Sequence, residues 1–182
     1  NAGSAPVQPQ LYTQLVRDGN PPPGESSVYS TFTGPAVYTD ASKFKKIEFK
    51  EIEKGSAEID KTANDGWVAM VQHYFTSVWL LPPNTPREFR AAKVSDNLYA
   101  IAMVQTLPAL AAGASHKVEA QLYAGPQEEH KLAALAPGLE LVKDYGWLTI
   151  LAKPLYWLLE KIHGFVGNWG WAIVLLVVLL KA

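Results

Sequence analysis

The closing stretch of the chain, residues 144–181, constrains the fold more than any other because it is predominantly apolar. From Pro154 the apolar residues recur at the spacing of one helical face, with a polar stripe opposite. Tryptophan, tyrosine and lysine around this helix are residue types that favour a lipid headgroup layer, and Pro154 suits a first helical turn. The pattern predicts an amphipathic helix that lies on a membrane.

After Gly167 and Asn168 the pattern changes. Residues 169–180 carry no polar side chain except the indoles, and leucine mixes with β-branched residues around the whole helix. A helix that is apolar on every side is expected inside a membrane. We therefore predict that this segment enters the bilayer. The predicted membrane-interface residues are Trp147, Pro154, Leu155, Trp157, Leu158, Leu159, Ile162, Phe165, Trp169 and Trp171.

Lys181 follows this apolar segment. If Trp169 and Trp171 lie at the interface, a rise of about 1.5 Å per residue places Lys181 roughly 15–18 Å deeper, near the middle of a hydrocarbon core of about 30 Å. A cation at that depth is costly and usually faces a polar cavity or a partner, which makes Lys181 a candidate functional residue. In the alternative, the helix begins near Phe165 and Lys181 extends to the far headgroups with its aliphatic stem in lipid.

Composition limits the possible functions. A net charge of -1 and a pI near 6.5 argue against nucleic acid as the main ligand, since a phosphate-binding surface needs a basic excess. The absence of cysteine excludes a disulfide, a thiolate zinc site and a cysteine nucleophile. The chain starts without a methionine or a signal-like segment and ends inside an apolar helix. We therefore expect it to be a piece of a longer protein.

The region before the closing stretch is predicted to be mainly β-structure. Residues 66–81 are apolar on both faces, which indicates a central strand that is covered on both sides. Several antiparallel strands at this spacing suggest a sandwich. The other predicted strands are residues 28–33, 36–39, 46–51, 57–61, 97–106 and 116–123, and a short apolar element is predicted over residues 11–16.

At residues 125–126 the pattern changes to that of a helix. Pro126 suits the first position, and Gln127, Glu128 and Glu129 follow in the first turn, where the helix dipole favours acids. Residues 137–138 (Pro-Gly) should end the helix. We predict a short helix that links the sheet domain to the membrane segments.

Candidate catalytic groups are sparse. The histidines are far apart without metal-ligand spacing, and nucleotide or acyl-transfer motifs are absent, so the sequence predicts no catalytic residue, no metal and no cofactor. Asp65, Glu88 and Asp96 could supply a carboxylate pair for sugar chemistry if the fold brings them together. This leaves a membrane-tethered carbohydrate-binding or carbohydrate-active sandwich as one alternative, and a passive binding module on a single anchor as another.

Four segments carry a resemblance to a known family. They are residues 66–79 (GWVAMVQHYFTSVW), 125–148, 154–176 and the lysine at Lys181. Together they resemble the YidC family of membrane protein insertases of Gram-negative bacteria. Residues 162–170 (IHGFVGNWG) are the most specific part, whereas residues 1–60 match only loosely.

The resemblance implies an architecture. Residues 1–124 would be the C-terminal part of a periplasmic β-sandwich related in fold to sugar mutarotases, and residues 125–143 a linking helix and connector. Residues 144–166 would form the amphipathic interface helix, and residues 167–182 the truncated start of the first of five conserved transmembrane helices. These helices surround a hydrophilic groove in this family. Its cation, usually arginine, falls on Lys181.

The resemblance also implies a function. The protein would be an insertase and chaperone, not an enzyme, that assists inner-membrane proteins alone or with the Sec translocon. It would reside in the bacterial inner membrane as a multi-pass protein with its sheet domain in the periplasm. The implied partners are nascent membrane protein segments, the lipid bilayer and, through parts outside this chain, Sec components and the ribosome.

Overall fold

The chain divides into two units, Asn1–Lys143 and Asp144–Ala182. A computed structural model describes residues 1–20, 31–143 and 149–181. The first unit consists mainly of β-strands, and the described part of the second is helical. The prediction of a mainly β fold followed by helices is confirmed.

The described strands of the first unit form two antiparallel sheets, one of four strands in the order β1-β8-β7-β4 and one of five in the order β3-β2-β5-β6-β9. β1 pairs with β8 along its whole length, from Gln10 opposite Thr106 to Asp18 opposite Leu98. The strands are β1 (Gln10–Asp18), β2 (Gly34–Thr39), β3 (Lys43–Lys46), β4 (Thr62–Ala63), β5 (Trp67–Val71), β6 (Phe75–Leu80), β7 (Arg87–Ser95), β8 (Leu98–Thr106) and β9 (Gln121–Pro126).

The main core lies between the two sheets, which makes the unit a β-sandwich. Val68 and Met70 on β5 belong to the same buried cluster as Ile101 and Met103 on β8. The indole of Trp79 on β6 joins the sheets by a hydrogen bond, which it donates to the carbonyl oxygen of Gln14 on β1 at 3.1 Å.

A second core covers the opposite face of the five-stranded sheet. Helix α2 (Glu129–Leu135) and the 3-10 helix Leu139–Val142 place Leu132 against Trp67 and its neighbours. The Trp67 indole donates to the carbonyl oxygen of Pro137 at 3.0 Å. All five residues of β5 are therefore buried, as the sequence predicts for a strand covered on both faces.

The predicted continuous strand over residues 66–81 is wrong, because it is two strands. β5 and β6 form an antiparallel hairpin, and the amide of Gln72 donates to the carbonyl oxygen of Phe75 at 2.9 Å across its turn. The turn contains His73 and Tyr74 and no glycine, proline or asparagine. These are the residues by which a turn is recognised in a sequence.

The predicted strand over residues 46–51 is also wrong. β3 ends at Lys46, and helix α1 (Phe49–Lys54) follows. Glu48 and Glu51 form a capping box at the start of this helix, and Gly55, with φ at 65°, ends it. Reciprocal caps satisfy amides that a helix start leaves without partners, so they override the alternation of apolar and charged residues.

Other boundaries also differ from the predictions. The predicted strand over residues 57–61 is wrong. No strand forms there, the two-residue β4 follows it, and Asp60 accepts hydrogen bonds from the hydroxyls of Thr39 and Ser42. Residues 28–30 lie outside the described part, and residues 31–33 are not a strand; β2 instead begins at Gly34 and continues through Pro35. The predicted strands at 97–106 and 11–16 correspond to β8 and β1.

Near the end of the first unit, the predicted strand over 116–123 begins only at Gln121, and Pro126 ends β9. The next helix starts later than predicted, at Glu129. Pro126 has no amide hydrogen, which an edge strand tolerates as well as a first helical turn does. β7 was not predicted, since its residues, with five charged or polar side chains among nine, show no clear apolar alternation.

Arg87 joins two turns at one end of the sandwich. Its guanidinium donates to the carbonyl oxygens of Thr85 at 2.9 Å, Gly66 at 2.9 Å and Pro82 at 2.5 Å. The side chain is buried, and this burial lowers its pKa against the opposing effect of Asp65. Gly66 is required here because its φ is 92° and an added Cβ would lie 2.0 Å from the carbonyl oxygen of Tyr38.

The second unit contains helices α3 (Thr149–Val166) and α4 (Trp169–Lys181). Pro154 lies inside α3 rather than in its first turn, so the predicted start at this residue is wrong. The helix continues through Pro154 at the loss of one backbone hydrogen bond. Among the residues that the structure describes, no helix combines the length and apolar character that a membrane crossing requires.

Candidate membrane-facing site

Helix α3 has two unequal faces. Leu155, Leu158, Leu159, Ile162 and Val166 are half-buried. Trp157, Lys161 and Gly164 are exposed, and the Lys161 ammonium lies 5.7 Å from the centre of the Trp157 ring. Phe165 is 94% exposed. A helix with a bulky apolar residue and a cation–aromatic pair on its open surface has the composition of a membrane-interface helix.

The two helices meet at a sharp joint. Gly167 adopts a φ of 70°, and its amide donates to the carbonyl oxygen of His163 at 2.7 Å, which ends α3. The side-chain oxygen of Asn168 accepts from the amide of Trp171 at 3.2 Å, which caps the start of α4. The rings of His163 and Trp169 stack across the joint with centres 3.8 Å apart and planes 10° apart.

Helix α4 exposes nearly all of its apolar side chains. Ala172 is its one fully buried residue among those described. A large exposed apolar surface of this kind marks an interaction surface. The exposed large apolar residues of α4 are Trp169, Trp171, Ile173, Val174, Leu175, Val177, Val178, Leu179 and Leu180.

A groove of about 650 Å³ lies between α3 and α4. Ile162, Phe165 and Val166 line it from α3, and Leu175, Val178 and Leu179 line it from α4. Among the described residues that line it, Lys161 is the one that carries a charge.

Lys181 is exposed in the last turn of α4, where a positive charge complements the helix dipole. It does not line the groove between α3 and α4. Trp147 lies outside the described residues.

Two of the predicted interface residues, Ile162 and Phe165, line the groove between α3 and α4. The α4 residues that line it with them were not predicted as part of a site. The stacking of His163 on Trp169 was missed, although the Gly167-Asn168 pair is a recognisable signal of one helix ending and another beginning.

In the sheet unit each candidate carboxylate contacts a different partner. Glu88 pairs with Arg90 at 2.7 Å, and Asp65 accepts from the amide of Asp40 at 3.0 Å. Asp96 lies 4.0 Å from Lys93. Within residues 1–20, 31–143 and 149–181, no three metal-ligating side chains form a group that could hold a metal ion. The three carboxylates thus contact three different partners, which gives the carbohydrate-active alternative no support.

One cluster of titratable groups lies between α1 and the four-stranded sheet. The Tyr99 hydroxyl donates to a carboxylate oxygen of Glu53 at 2.7 Å, and Lys93 donates to the same oxygen at 3.0 Å. These bonds lower the pKa of Glu53, and the Glu53 carboxylate in turn raises the pKa of both Lys93 and Tyr99. The cluster is open to solvent, so it is an ordinary surface ion pair that holds α1 against β7 and β8.

The fold and the site define a β-sandwich followed by an amphipathic helix and an apolar helix. A family model described as the YidC periplasmic domain matches residues 1–158, and the chain belongs to this family. The predicted resemblance is therefore confirmed. The match also includes residues 1–60, where the sequence alone showed only a loose resemblance to the family.

Similar proteins extend this result over the whole chain. Proteins named membrane protein insertase YidC are 58% identical in Cupriavidus taiwanensis, 57% in Burkholderia ambifaria and 54% in a Janthinobacterium species. Each alignment covers 100% of this chain and 32–33% of the relative. The chain thus spans about a third of the length of the curated relatives it matches, and none of these names supports the carbohydrate alternative.

Proposed function

We propose that this chain is part of a membrane protein insertase and chaperone of the bacterial inner membrane. The observation that carries the proposal is the match of the entire chain, at 54–59% identity, to proteins named membrane protein insertase. The exposed apolar surface of α4 supports it independently, because a helix of this kind needs lipid or other apolar helices to cover it.

In this proposal α3 lies on the outer surface of the membrane and holds the sheet unit in the periplasm. Trp157, Phe165 and Lys161 are exposed on α3, and tryptophan and lysine are favoured at the headgroup layer. The remaining interface residues are those predicted from the sequence: Trp147, Pro154, Leu155, Leu158, Leu159, Ile162, Trp169 and Trp171.

Helix α4 enters the bilayer from the joint at Gly167 and Asn168. It begins at Trp169 and reaches Lys181 in its last turn. At about 1.5 Å per residue, the cation lies roughly 18 Å below the tryptophans, near the middle of a core of about 30 Å. Because an isolated charge at this depth is costly, we propose that Lys181 faces a water-filled groove formed with parts of the protein outside this chain.

The groove cation would act on the client by electrostatic attraction. A positive charge in a wet notch draws an acidic segment of the client part-way into the membrane, and the apolar helix of the client then moves into lipid. Burial of that helix provides the driving force, so the step needs no nucleotide. Lysine lacks the planar fork of arginine, so it attracts a carboxylate without a bidentate grip.

The proposed partners follow from this arrangement. Nascent membrane protein segments and the lipid bilayer would contact the two helices. Sec translocon components and the ribosome would bind through parts of the multi-pass protein that are not in this chain.

Replacement of Lys181 tests the proposal. Lys181→Ala in the intact protein, as its gene encodes it, should abolish insertion of a single-span client with an acidic tail, whereas Lys181→Arg should preserve insertion because it keeps the charge. The measurement is protease protection of the client in proteoliposomes. Lys161→Ala is the matched control, because it removes a cation at the interface rather than inside the bilayer.

Full insertion activity of Lys181→Ala would contradict the role of the cation. A passive module on a single anchor would show no insertion activity with any of these residues at position 181. The insertase proposal also requires that the gene encode further hydrophobic helices, with a basic cytoplasmic loop between the first two.

A further inference from the structure

The joint between α3 and α4 is built largely from one side chain and its backbone. His163 supplies the carbonyl oxygen that accepts from the Gly167 amide at 2.7 Å, and its ring stacks on Trp169 with centres 3.8 Å apart. Asn168 caps the following helix through the Trp171 amide. We refer to His163, Gly167, Asn168 and Trp169 as the elbow.

Packing beyond the elbow leaves the angle between the helices weakly restrained. The groove of about 650 Å³ along α3 and α4 is open to the outside. Leu175, Val178 and Leu179 line it and are still 45–60% exposed. Ala172 is the one fully buried residue described on α4.

The elbow contains both flexible and restraining parts. Gly167 adopts the left-handed backbone conformation. An added Cβ there would meet nothing within 4 Å, so no neighbouring atoms pack against this point of the backbone. The ring stack crosses this glycine and ties the last turn of α3 to the first residue of α4. Stacked aromatic rings contribute energy beyond the area they bury.

We propose that His163 is a positioning residue: its ring, stacked on Trp169, sets the angle between α3 and α4 and thereby the position of Lys181 relative to the membrane interface. The link to Lys181 rests on the proposed function, whereas the effect on the helix angle does not. An aromatic pair of this kind shifts a two-state equilibrium by about 2- to 12-fold, so loss of the ring should release a second helix angle.

Distance measurements between the helices test this directly. Spin labels at Tyr156→Cys and Val177→Cys, in the intact protein reconstituted into bilayers, report the separation of α3 and α4 by pulsed electron resonance. With His163 present we expect one narrow distance population. His163→Ala should raise a second population by about 2- to 12-fold, and His163→Phe, which keeps a flat ring, should restore the narrow distribution.

The control is His116→Ala, which removes the same side chain from an exposed segment of the sheet unit and should leave the distances unchanged. Identical distributions for the wild type and His163→Ala would overturn the proposal, as would a failure of His163→Phe to restore the narrow distribution. Insertion activity is a separate readout. Full insertion activity of Lys181→Ala would contradict the proposed function. The distance measurements on His163→Ala test the helix angle independently of that result.

Discussion

The two units of the chain place the same kind of side chain in opposite environments. In the sheet unit, Val68 on β5 is fully buried in the core between the two sheets. In the helical unit, Val178 on α4 is 59% exposed, as are most of its apolar neighbours. The sheet unit therefore encloses its own core, whereas the helical unit leaves most of the apolar side chains of α4 exposed.

The two units also differ in the environment of a cationic side chain. Arg87 is 3% exposed, and backbone carbonyls accept its hydrogen bonds. Lys181 is exposed at the end of an apolar helix. A buried cation with every bond directed at its own backbone is a structural element, while a cation presented outward is available to a partner. Stability should therefore depend on Arg87 and function on Lys181.

Removal of Arg87 gives the largest expected effect on this comparison. Arg87→Ala removes a buried side chain and leaves three part-buried carbonyl oxygens, those of Gly66, Pro82 and Thr85, without their donor, so we expect a loss of roughly 3–5 kcal/mol in the free energy of unfolding. Urea denaturation of the chain measures it. Arg90→Ala, which breaks only an exposed pair with Glu88, should change the value by less than about 1 kcal/mol. Equal effects of the two substitutions would contradict the structural role of Arg87.

One substitution made in both units sharpens the contrast. Val68→Asn should lower the free energy of unfolding by roughly 2–4 kcal/mol, because it places an amide without partners in the core. Val178→Asn should change the free energy of unfolding by less than about 0.5 kcal/mol. It should, however, weaken the binding of the protein to lipid vesicles by about tenfold. Denaturation and vesicle co-sedimentation measure the two effects. A strong loss of stability from Val178→Asn would show that its surface is covered by the chain itself.

The smallest expected effect is the dependence of stability on acidic pH through Glu53. The pKa of Glu53 lies below its usual value of 4.5, held there by the Tyr99 hydroxyl and by Lys93. A lowered folded pKa gives stability that is present above the usual value and lost as the pH falls through the lowered one. Melting temperatures of the wild type and Glu53→Gln should therefore differ slightly at pH 7 and converge below about pH 4.5. A constant difference down to pH 3 would contradict this.

The sequence predicted the environments of the elements better than their boundaries. Burial of β5 on both faces could be read from its unbroken apolar run. The turn at His73 and Tyr74 could not, because tertiary hydrogen bonds form it: the side chain of Gln127, far along the chain, donates to the carbonyl oxygens of Gln72 at 2.7 Å and Phe75 at 3.1 Å. A local pattern contains no record of such a distant partner.

The helical unit shows the same limit. The apolar character of α4 was evident from residues 169–180, and the glycine and asparagine at 167–168 marked the joint. The contact of His163 with Trp169 depends on how the two helices fold back at that joint, which periodicity within either helix does not determine. The start of α3 was misplaced because proline is common in the first turn of a helix, which is where the sequence placed Pro154. Proline is also found further inside helices, and Pro154 lies inside α3.

The depth and hydration of residue 181 in the bilayer test the central claim most directly. A spin label at Lys181→Cys in the intact, reconstituted protein reports its depth by collision with lipid-soluble oxygen, and its access to water by collision with a polar nickel chelate. We predict a label roughly 15–18 Å below the level of Trp169 that the aqueous chelate still reaches. A label resting at headgroup level, or a deep label that only oxygen reaches, would contradict the account.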